Sequence, residues 1–130
     1  MTVKQILLVD DDSITNMINT KLITRDFDCR VTAYTNAQET LTYLRGLAED
    51  TPDDMPEVIF LDVNMPVMDG WEFLEEFQRF PERSLDKCSV IMLTSSIDYD
   101  DIEKSKKYSV VKDFVSKPLT REKIRELIGS

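Results

Sequence analysis

Residues 6–12 read ILLVDDD, and residues 58–62 read VIFLD. Each stretch is a short apolar run that ends in aspartate, and near-continuous runs of this kind are typical of strands buried on both faces of a parallel sheet. Three further short runs that contain β-branched residues recur along the chain, without a terminal aspartate. The segments between the runs carry apolar residues at helical spacing, which favours alternating strands and helices. The predicted fold class is therefore α/β, with a doubly wound, flavodoxin-like parallel sheet.

Five strands are predicted, namely Ile6 to Val9, Arg30 to Tyr34, Val58 to Leu61, Val90 to Leu93 and Asp113 to Val115. The order expected for this doubly wound form is 2-1-3-4-5, with the first, third and fourth strands in the centre. Five helices are expected to flank the sheet. Capping residues mark four of their starts, at Ser13, Asn36, Asp98 and Thr120, and the apolar stripe Phe73, Leu74 and Phe77 marks the remaining one. In the first helix, the residues at helical spacing that predict the inner stripe are Ile14, Met17, Ile18 and Leu22. Two longer connections are expected at Gly46 to Glu57 and Phe80 to Ser89.

The composition argues against several classes of function. Sixteen basic against twenty-five acidic residues give a net charge of −9, which repels nucleic acid. No apolar run approaches the roughly 18 residues of a membrane span, so we expect a soluble, cytoplasmic protein. Histidine is absent, which removes the commonest general base and zinc ligand. Cys29 and Cys88 lie outside any CxxC pair, which favours two reduced thiols, with a disulfide as the alternative.

Polar residues follow four of the predicted strands, where a parallel sheet places its ligand site. They are Asp10, Asp11 and Asp12 after the first strand, Asp62 after the third, Thr94, Ser95 and Ser96 after the fourth, and Lys117 with Pro118 after the fifth. Taken singly, each is more often a helix cap or a solvated side chain. Several carboxylates gathered at one edge repel each other unless a cation binds, and Mg²⁺ takes one or two carboxylates together with phosphate oxygens.

The strand order places Asp10 and Asp11 beside Asp62. A carboxylate next to a divalent ion can attack an incoming phosphoryl group, and the metal and an ammonium group then offset the charge on the phosphoryl oxygens. We therefore predict Asp62 as the nucleophile and Lys117 as its counter-charge.

Four segments of the chain form recognisable motifs: LLVDDD, FLDVNMPVMDGWEFL, IMLTSS and FVSKPLT. Together they resemble the signature segments of the response-regulator receiver family, as found in chemotaxis regulators, and they span residues 6 to 120. The resemblance implies a role for each matching residue: metal binding for Asp10, Asp11 and Asp62, the phosphoacceptor for Asp62, the switch hydroxyl for Thr94 and phosphoryl binding for Lys117. The implied metal is Mg²⁺, with Mn²⁺ as a substitute.

The resemblance implies three further features. Asn64 would coordinate the metal through its backbone carbonyl, and the Lys117–Pro118 peptide bond would be cis. Phe114 would be the aromatic that turns inward when the threonine moves, although a core aromatic on a strand is the alternative interpretation.

The function implied by the resemblance is that of a two-component response regulator. Such a domain takes a phosphoryl group from a sensor histidine kinase or phosphotransfer protein and signals to a protein target, and beyond this self-phosphorylation and slow autodephosphorylation it is not an enzyme. We expect residues 1–130 to form one receiver domain and a stand-alone protein, which is a monomer or weak homodimer without direct nucleic-acid or membrane binding.

Two rival interpretations remain. Asp10 and Asp12 have the DxD spacing of haloacid-dehalogenase-type phosphatases, but Ile14 stands where that motif has threonine or valine. The other rival is a receiver-like binding module that needs no phosphorylation. Such modules usually lack a site residue, whereas this chain retains all of them.

Overall fold

The structure is a computed structural model that describes residues 4–128. Its five parallel strands form one sheet in the order β2-β1-β3-β4-β5, as predicted. The strands are β1 Lys4–Val9, β2 Cys29–Tyr34, β3 Val58–Asp62, β4 Ser89–Thr94 and β5 Val111–Ser116. Each contains the predicted strand and extends it by one or more residues. The three strands with near-continuous apolar sequence occupy the centre of the sheet.

Six α-helices are described, one more than expected. They are α1 Ser13–Asp26, α2 Ala37–Asp50, α3 Gly70–Phe77, α4 Glu82–Leu85, α5 Tyr99–Ser105 and α6 Arg121–Ile128, with a 3₁₀ turn at Pro52–Asp54. The additional helix α4 is a single turn within the connection Phe80 to Ser89. The other predicted connection is shorter than expected because α2 continues through Gly46. That glycine is exposed, and no atom lies within 4 Å of the place that a Cβ would take.

The core lies in two layers, one on each face of the sheet. Because side chains alternate along a strand, Leu7 and Val9 of β1 face the buried side chains of α2 and α3, whereas Ile6 and Leu8 face α1 and α6. The predicted stripe of α3 is fully buried in the first layer. Both faces of the central strands are therefore covered. Along residues 4–128, no helix has both the length and the apolar character needed to cross a bilayer.

Helix α1 differs from its prediction at its start and in the face that it buries. Its N-cap is Asp12 rather than Ser13, since the Asp12 side chain accepts hydrogen bonds from the N–H groups of the first turn. The apolar side chains predicted to form the inner stripe are largely exposed, at 61% for Ile14, 52% for Met17 and 51% for Ile18. The buried residues of the helix are Asn16, Asn19 and Ile23.

The other predicted caps are present in the structure. Asn36 Oδ1 accepts the Glu39 N–H at 3.0 Å, and Asp98 Oδ1 accepts the Asp100 N–H at 2.8 Å. Thr120 Oγ1 accepts the Lys123 N–H at 3.2 Å, at the start of α6. These bonds satisfy N–H groups that have no partner within their helix.

Candidate functional site

Strand pairing brings three carboxylates together at the carboxyl edge of the sheet. Val9 of β1 lies opposite Leu61 of β3, so the residues that follow or end these strands become neighbours. One carboxylate oxygen from each of Asp10, Asp11 and Asp62 lies within 4.8 Å of the other two. Asp10 and Asp62 are buried, whereas Asp11 is exposed. The aspartate cluster predicted from the sequence is therefore assembled, with one member open to solvent.

Lys117 brings a positive charge to this cluster. Its Nζ donates to Asp10 Oδ2 at 2.7 Å and lies 3.3 Å from Asp62 Oδ2. Burial alone would lower the pKa of Lys117, but the hydrogen bond to Asp10 and the charges of both carboxylates outweigh burial and raise it. The lysine is therefore a full positive charge at neutral pH.

The main chain holds Lys117 at the site. Its N–H donates to the carbonyl of Thr94 at 2.7 Å, which ties the end of β5 to the end of β4. The peptide bond between Lys117 and Pro118 is cis, as the resemblance implies.

The carboxyl group of Asp62 resists ionisation in this environment. Burial and the negative charge of Asp10 raise its pKa to about 6, against the opposing effects of Lys117 and of the Asn64 N–H. The Asn64 N–H lies 3.2 Å from Asp62 Oδ1. A single lysine thus leaves the ionised cluster incompletely neutralised. An added divalent cation would favour the ionised form of Asp62, which is the nucleophilic form.

The donor set suits a hard divalent metal. Carboxylate oxygens are the ligands that Mg²⁺ and Mn²⁺ prefer, and the exposure of Asp11 leaves room for the water ligands that Mg²⁺ retains. Burial, which is the largest cause of the raised pKa of Asp62, and the negative charge of Asp10 both disfavour ionisation of this carboxyl group, and a bound cation would oppose both effects. Asp10, Asp11 and Asp62 could therefore hold a metal ion.

Asp12 does not belong to this cluster. Its carboxylate lies at the exposed start of α1, where hydrogen bonds from the Ile14 and Thr15 N–H groups lower its pKa. The DxD pair of a haloacid-dehalogenase-type phosphatase would need Asp10 and Asp12 at one centre. In the structure, Asp10 belongs to the carboxylate cluster and Asp12 caps α1, so the phosphatase interpretation loses its support.

Thr94 lies at the end of β4 with its hydroxyl bound inside its own loop. Oγ1 donates to the Ser96 carbonyl at 2.9 Å and lies 3.2 Å from the Ser96 N–H. The side chain is buried. A hydrogen bond from this hydroxyl to a group on Asp62 would require the Ser96 contact to break.

The predicted switch aromatic, Phe114, lies half-buried on β5. Its ring stacks on Trp71 of α3, with the centroids 6.4 Å apart and the planes at 22°. Trp71 in turn lies near Tyr108, at 6.3 Å between centroids, and beneath Lys104 Nζ at 4.6 Å. Phe114 packs against the core layer that contains α3, so it has partners in this position whichever interpretation of its role holds.

The residue pattern alone does not mark Gly70 as a site residue, whereas the structure does. A Cβ at this position would lie 2.8 Å from the carbonyl oxygen of Asp62 and 3.0 Å from the Cα of Val63. Helix α3 therefore starts directly against the backbone of the predicted phosphoacceptor, and only glycine permits that approach.

The loop before α3 contains a strained turn that its sequence does not predict. Val67 has a φ of 68°, and the Met68 N–H donates to the Pro66 carbonyl at 2.8 Å across it. This is a γ-turn with positive φ, a conformation that β-branched residues rarely adopt. The Val67 side chain is 84% exposed, so packing does not explain the turn.

A doubly wound sheet with clustered aspartates and a lysine at its carboxyl edge defines the receiver class of α/β protein. The family model for the response regulator receiver domain matches residues 6–129. The chain therefore belongs to the response-regulator receiver-domain family of two-component systems.

Three known proteins illustrate the similarity. A two-component response regulator from Cytophaga hutchinsonii has 30% identity and a TM-score of 0.89, with coverage of 99% of this chain and 96% of that one. The phosphorylated cyanobacterial phytochrome response regulator RcpA has 27% identity and a TM-score of 0.77, with coverage of 97% and 89%. Hybrid signal transduction histidine kinase L of Dictyostelium discoideum is 30% identical over 125 residues, which are 95% of this chain but only 7% of that kinase.

Proposed function

We propose that this chain is a phosphoacceptor of two-component signalling. Asp62 accepts a phosphoryl group from a phosphohistidine on a sensor histidine kinase or phosphotransfer protein. Mg²⁺, or Mn²⁺ in its place, is held by Asp10, Asp11 and Asp62 together with the backbone carbonyl of Asn64. The observation that carries this proposal is the convergence of three carboxylates and the Lys117 ammonium at one sheet edge.

The proposed reaction transfers one phosphoryl group between proteins. A carboxylate oxygen of Asp62 forms a bond to phosphorus while the P–N bond to the donor imidazole breaks, and the electron pair remains on the imidazole nitrogen. A bound divalent metal supplies positive charge to the phosphoryl oxygens. Lys117, which follows β5 at the same edge of the sheet, supplies a second positive charge. The donor histidine lies outside these 130 residues, which contain none.

The proposed signal is a change in the surface formed by α5, β5 and α6. The Thr94 hydroxyl would leave Ser96 to donate to a phosphoryl oxygen, which moves the loop between β4 and α5 towards Asp62. Phe114 would then turn into the space that this movement opens. A downstream protein reads the altered surface, so the free energy of phosphoryl binding becomes differential affinity for a partner.

The remaining parts of the proposal concern the context of the chain. We propose one receiver domain over residues 1–130, cytoplasmic, monomeric or weakly dimeric, with protein partners and without direct nucleic-acid binding. Apart from self-phosphorylation and slow hydrolysis of its own acyl phosphate, it catalyses no reaction. The likeness to the phosphorylated phytochrome response regulator RcpA supports phosphorylation of this chain.

Intact-protein mass spectrometry after incubation with acetyl phosphate and Mg²⁺ tests the proposal. The wild-type chain should gain one acid-labile phosphoryl group, and Asp62→Asn should gain none. Asp12→Asn is the matched control, because asparagine also caps helices and Asp12 lies outside the cluster. An unlabelled wild-type chain would favour the phosphorylation-independent binding module. An acid-stable phosphate on Asp62→Asn would assign the acceptor to a hydroxyl such as that of Thr94.

A further inference from the structure

We infer that Asn16 is a positioning residue that holds the backbone between the two metal-binding aspartates Asp10 and Asp11. This inference rests on the metal site of the proposed function. Asn16 lies on the second turn of α1, and its side chain is buried beneath the site, with 4% exposure. Its Nδ2 donates to the carbonyl of Asp10 at 3.0 Å and to the carbonyl of Tyr34 at 3.2 Å.

These two bonds join the ends of neighbouring strands. The Tyr34 carbonyl, at the end of β2, also accepts the N–H of Asp10 at 3.1 Å. The carbonyl of Asp10 lies just beyond the end of β1, where the chain leaves the sheet. The Asn16 carboxamide therefore continues the link between β1 and β2 at the point where strand pairing stops.

The orientation of the Asp10 carbonyl affects both aspartates because of the peptide plane to which it belongs. That plane includes the Cα atoms of both Asp10 and Asp11, since a peptide unit is rigid and planar. A hydrogen bond that fixes this carbonyl restricts the direction in which both side chains leave the main chain. One of these side chains is the carboxylate that contacts Lys117, and the other is the exposed member of the cluster.

The chemistry of position 16 supports a role beyond packing. In the first half of α1 the apolar side chains of Ile14, Met17 and Ile18 are largely exposed, while the amide of Asn16 is buried. Among the described residues, no donor reaches the buried Asn16 Oδ1. An unsatisfied buried acceptor costs free energy that an apolar side chain of similar size would avoid. The hydrogen bonds made by the NH₂ group are what this position gains from asparagine.

Asn19 provides a matched control on the same helix. It is also a buried asparagine of α1, with 6% exposure, and its side chain makes no described hydrogen bond to either strand end. Removing either side chain should loosen the contact of α1 with the sheet. Only removal of the Asn16 amide should disturb the backbone between Asp10 and Asp11.

Isothermal titration of the 130-residue chain with Mg²⁺ alone tests the inference. Asn16→Leu, which fills the space without the two bonds, should weaken Mg²⁺ binding by about tenfold, the lower end of the effect of residues that support metal ligands. Asn19→Leu should leave the affinity within about twofold of wild type. Asn16→Ser is a smaller substitution, to be titrated in the same way if the leucine variant does not fold.

A measurement without metal gives a second readout. In metal-free ¹H–¹⁵N spectra, the amide of Asp11 should shift in Asn16→Leu and keep its wild-type position in Asn19→Leu. Wild-type affinity in a folded Asn16 variant would overturn the inference and leave the metal site intact. A wild-type chain that binds no Mg²⁺ would instead remove the metal site itself, and the inference with it.

Discussion

Lys117 Nζ lies 2.7 Å from Asp10 Oδ2, nearer than its 3.3 Å separation from Asp62. The lysine therefore pairs most closely with a proposed metal ligand instead of with the proposed phosphoacceptor. A cation bound at the same carboxylates would compete with the ammonium group for Asp10. Metal binding should thus weaken the hold on Lys117 and make its charge available to an incoming phosphoryl group.

The first prediction concerns the stability of the metal-free protein. The pKa of Asp62 rises to about 6 in the fold, so the native state binds this proton more tightly than the unfolded state, in which the pKa is about 4. The stabilisation from this preferential protonation of Asp62 is therefore fully present below pH 4 and is lost as the pH rises through 6. A difference of about two pKa units corresponds to about 3 kcal/mol.

In the folded protein, ionisation of Asp62 above pH 6 costs free energy. Asp62→Asn removes that cost, although it also removes the charge contact with Lys117. We expect the variant to be more stable than wild type by about 1–2 kcal/mol at pH 7.5 and by progressively less towards pH 4. Urea unfolding in the presence of chelator at both pH values measures the difference. A gain of equal size at both would show that ionisation of Asp62 is not its source.

The second prediction separates Asp11 from Asp12, two adjacent exposed aspartates with different surroundings. Asp11→Ala should lose Mg²⁺ affinity and phosphorylation together, with little change in stability, because Asp11, unlike Asp12, contributes an oxygen to the cluster. Asp12→Ala should bind Mg²⁺ normally but lose about 1 kcal/mol of stability through its helix cap. Titration calorimetry and urea unfolding of both variants provide the test. Undiminished labelling of wild type in excess chelator would contradict the metal requirement.

The third prediction compares two glycines. Gly70→Ala would drive a Cβ into the backbone of Asp62 and Val63, so we expect a loss of about 1–3 kcal/mol and slower labelling by acetyl phosphate. Gly46→Ala places its Cβ in open space on α2 and should gain about 0.5–1 kcal/mol. Thermal unfolding with labelling kinetics checks both. Equal behaviour of the two variants would argue against the close approach at Gly70.

The fourth prediction concerns the switch. Beryllofluoride with Mg²⁺, an analogue of the phosphoryl group, should shift the backbone NMR signals of Thr94, Ser96, Phe114 and helices α5 and α6. Thr94→Val lacks the hydroxyl that must leave Ser96, so its shifts at α5 and α6 should be reduced while those next to Asp62 persist. Shifts confined to the loops around Asp62 in the wild-type chain would mean that the domain signals through another face.

The sequence was sufficient to predict the sheet order and the aspartate cluster because both depend on side-chain type. Apolar runs mark the central strands, and a polar residue that follows such a run must lie at the carboxyl edge of the sheet. The inner face of α1 could not be predicted in this way. Periodicity identifies Ile14, Met17 and Ile18 as the buried stripe, but Asn16 bonds to main-chain carbonyls whose positions exist only in the folded sheet.

Two glycines show the same limit of sequence patterns. Gly46 is a common signal for the end of a helix, yet α2 runs through it for a further turn. Gly70 follows an aspartate in an ordinary turn motif. Its importance comes from the backbone of Asp62 and Val63, which it approaches only when the start of α3 packs against the end of β3. A glycine in the sequence indicates that the backbone can adopt more conformations there, but it does not indicate which neighbouring atoms exclude a side chain.

The contact between Trp71 and Phe114 also has an optical consequence. Trp71 is the one tryptophan of the chain, so its fluorescence arises from a single site against α5 and β5. Its indole ring stacks against the Phe114 ring, and the Lys104 Nζ lies 4.6 Å from the centroid of the indole. Any rotation of Phe114 or displacement of α5 would change the polarity and the local field at this ring, so the emission spectrum of the unlabelled protein should report the conformation of the proposed signalling surface.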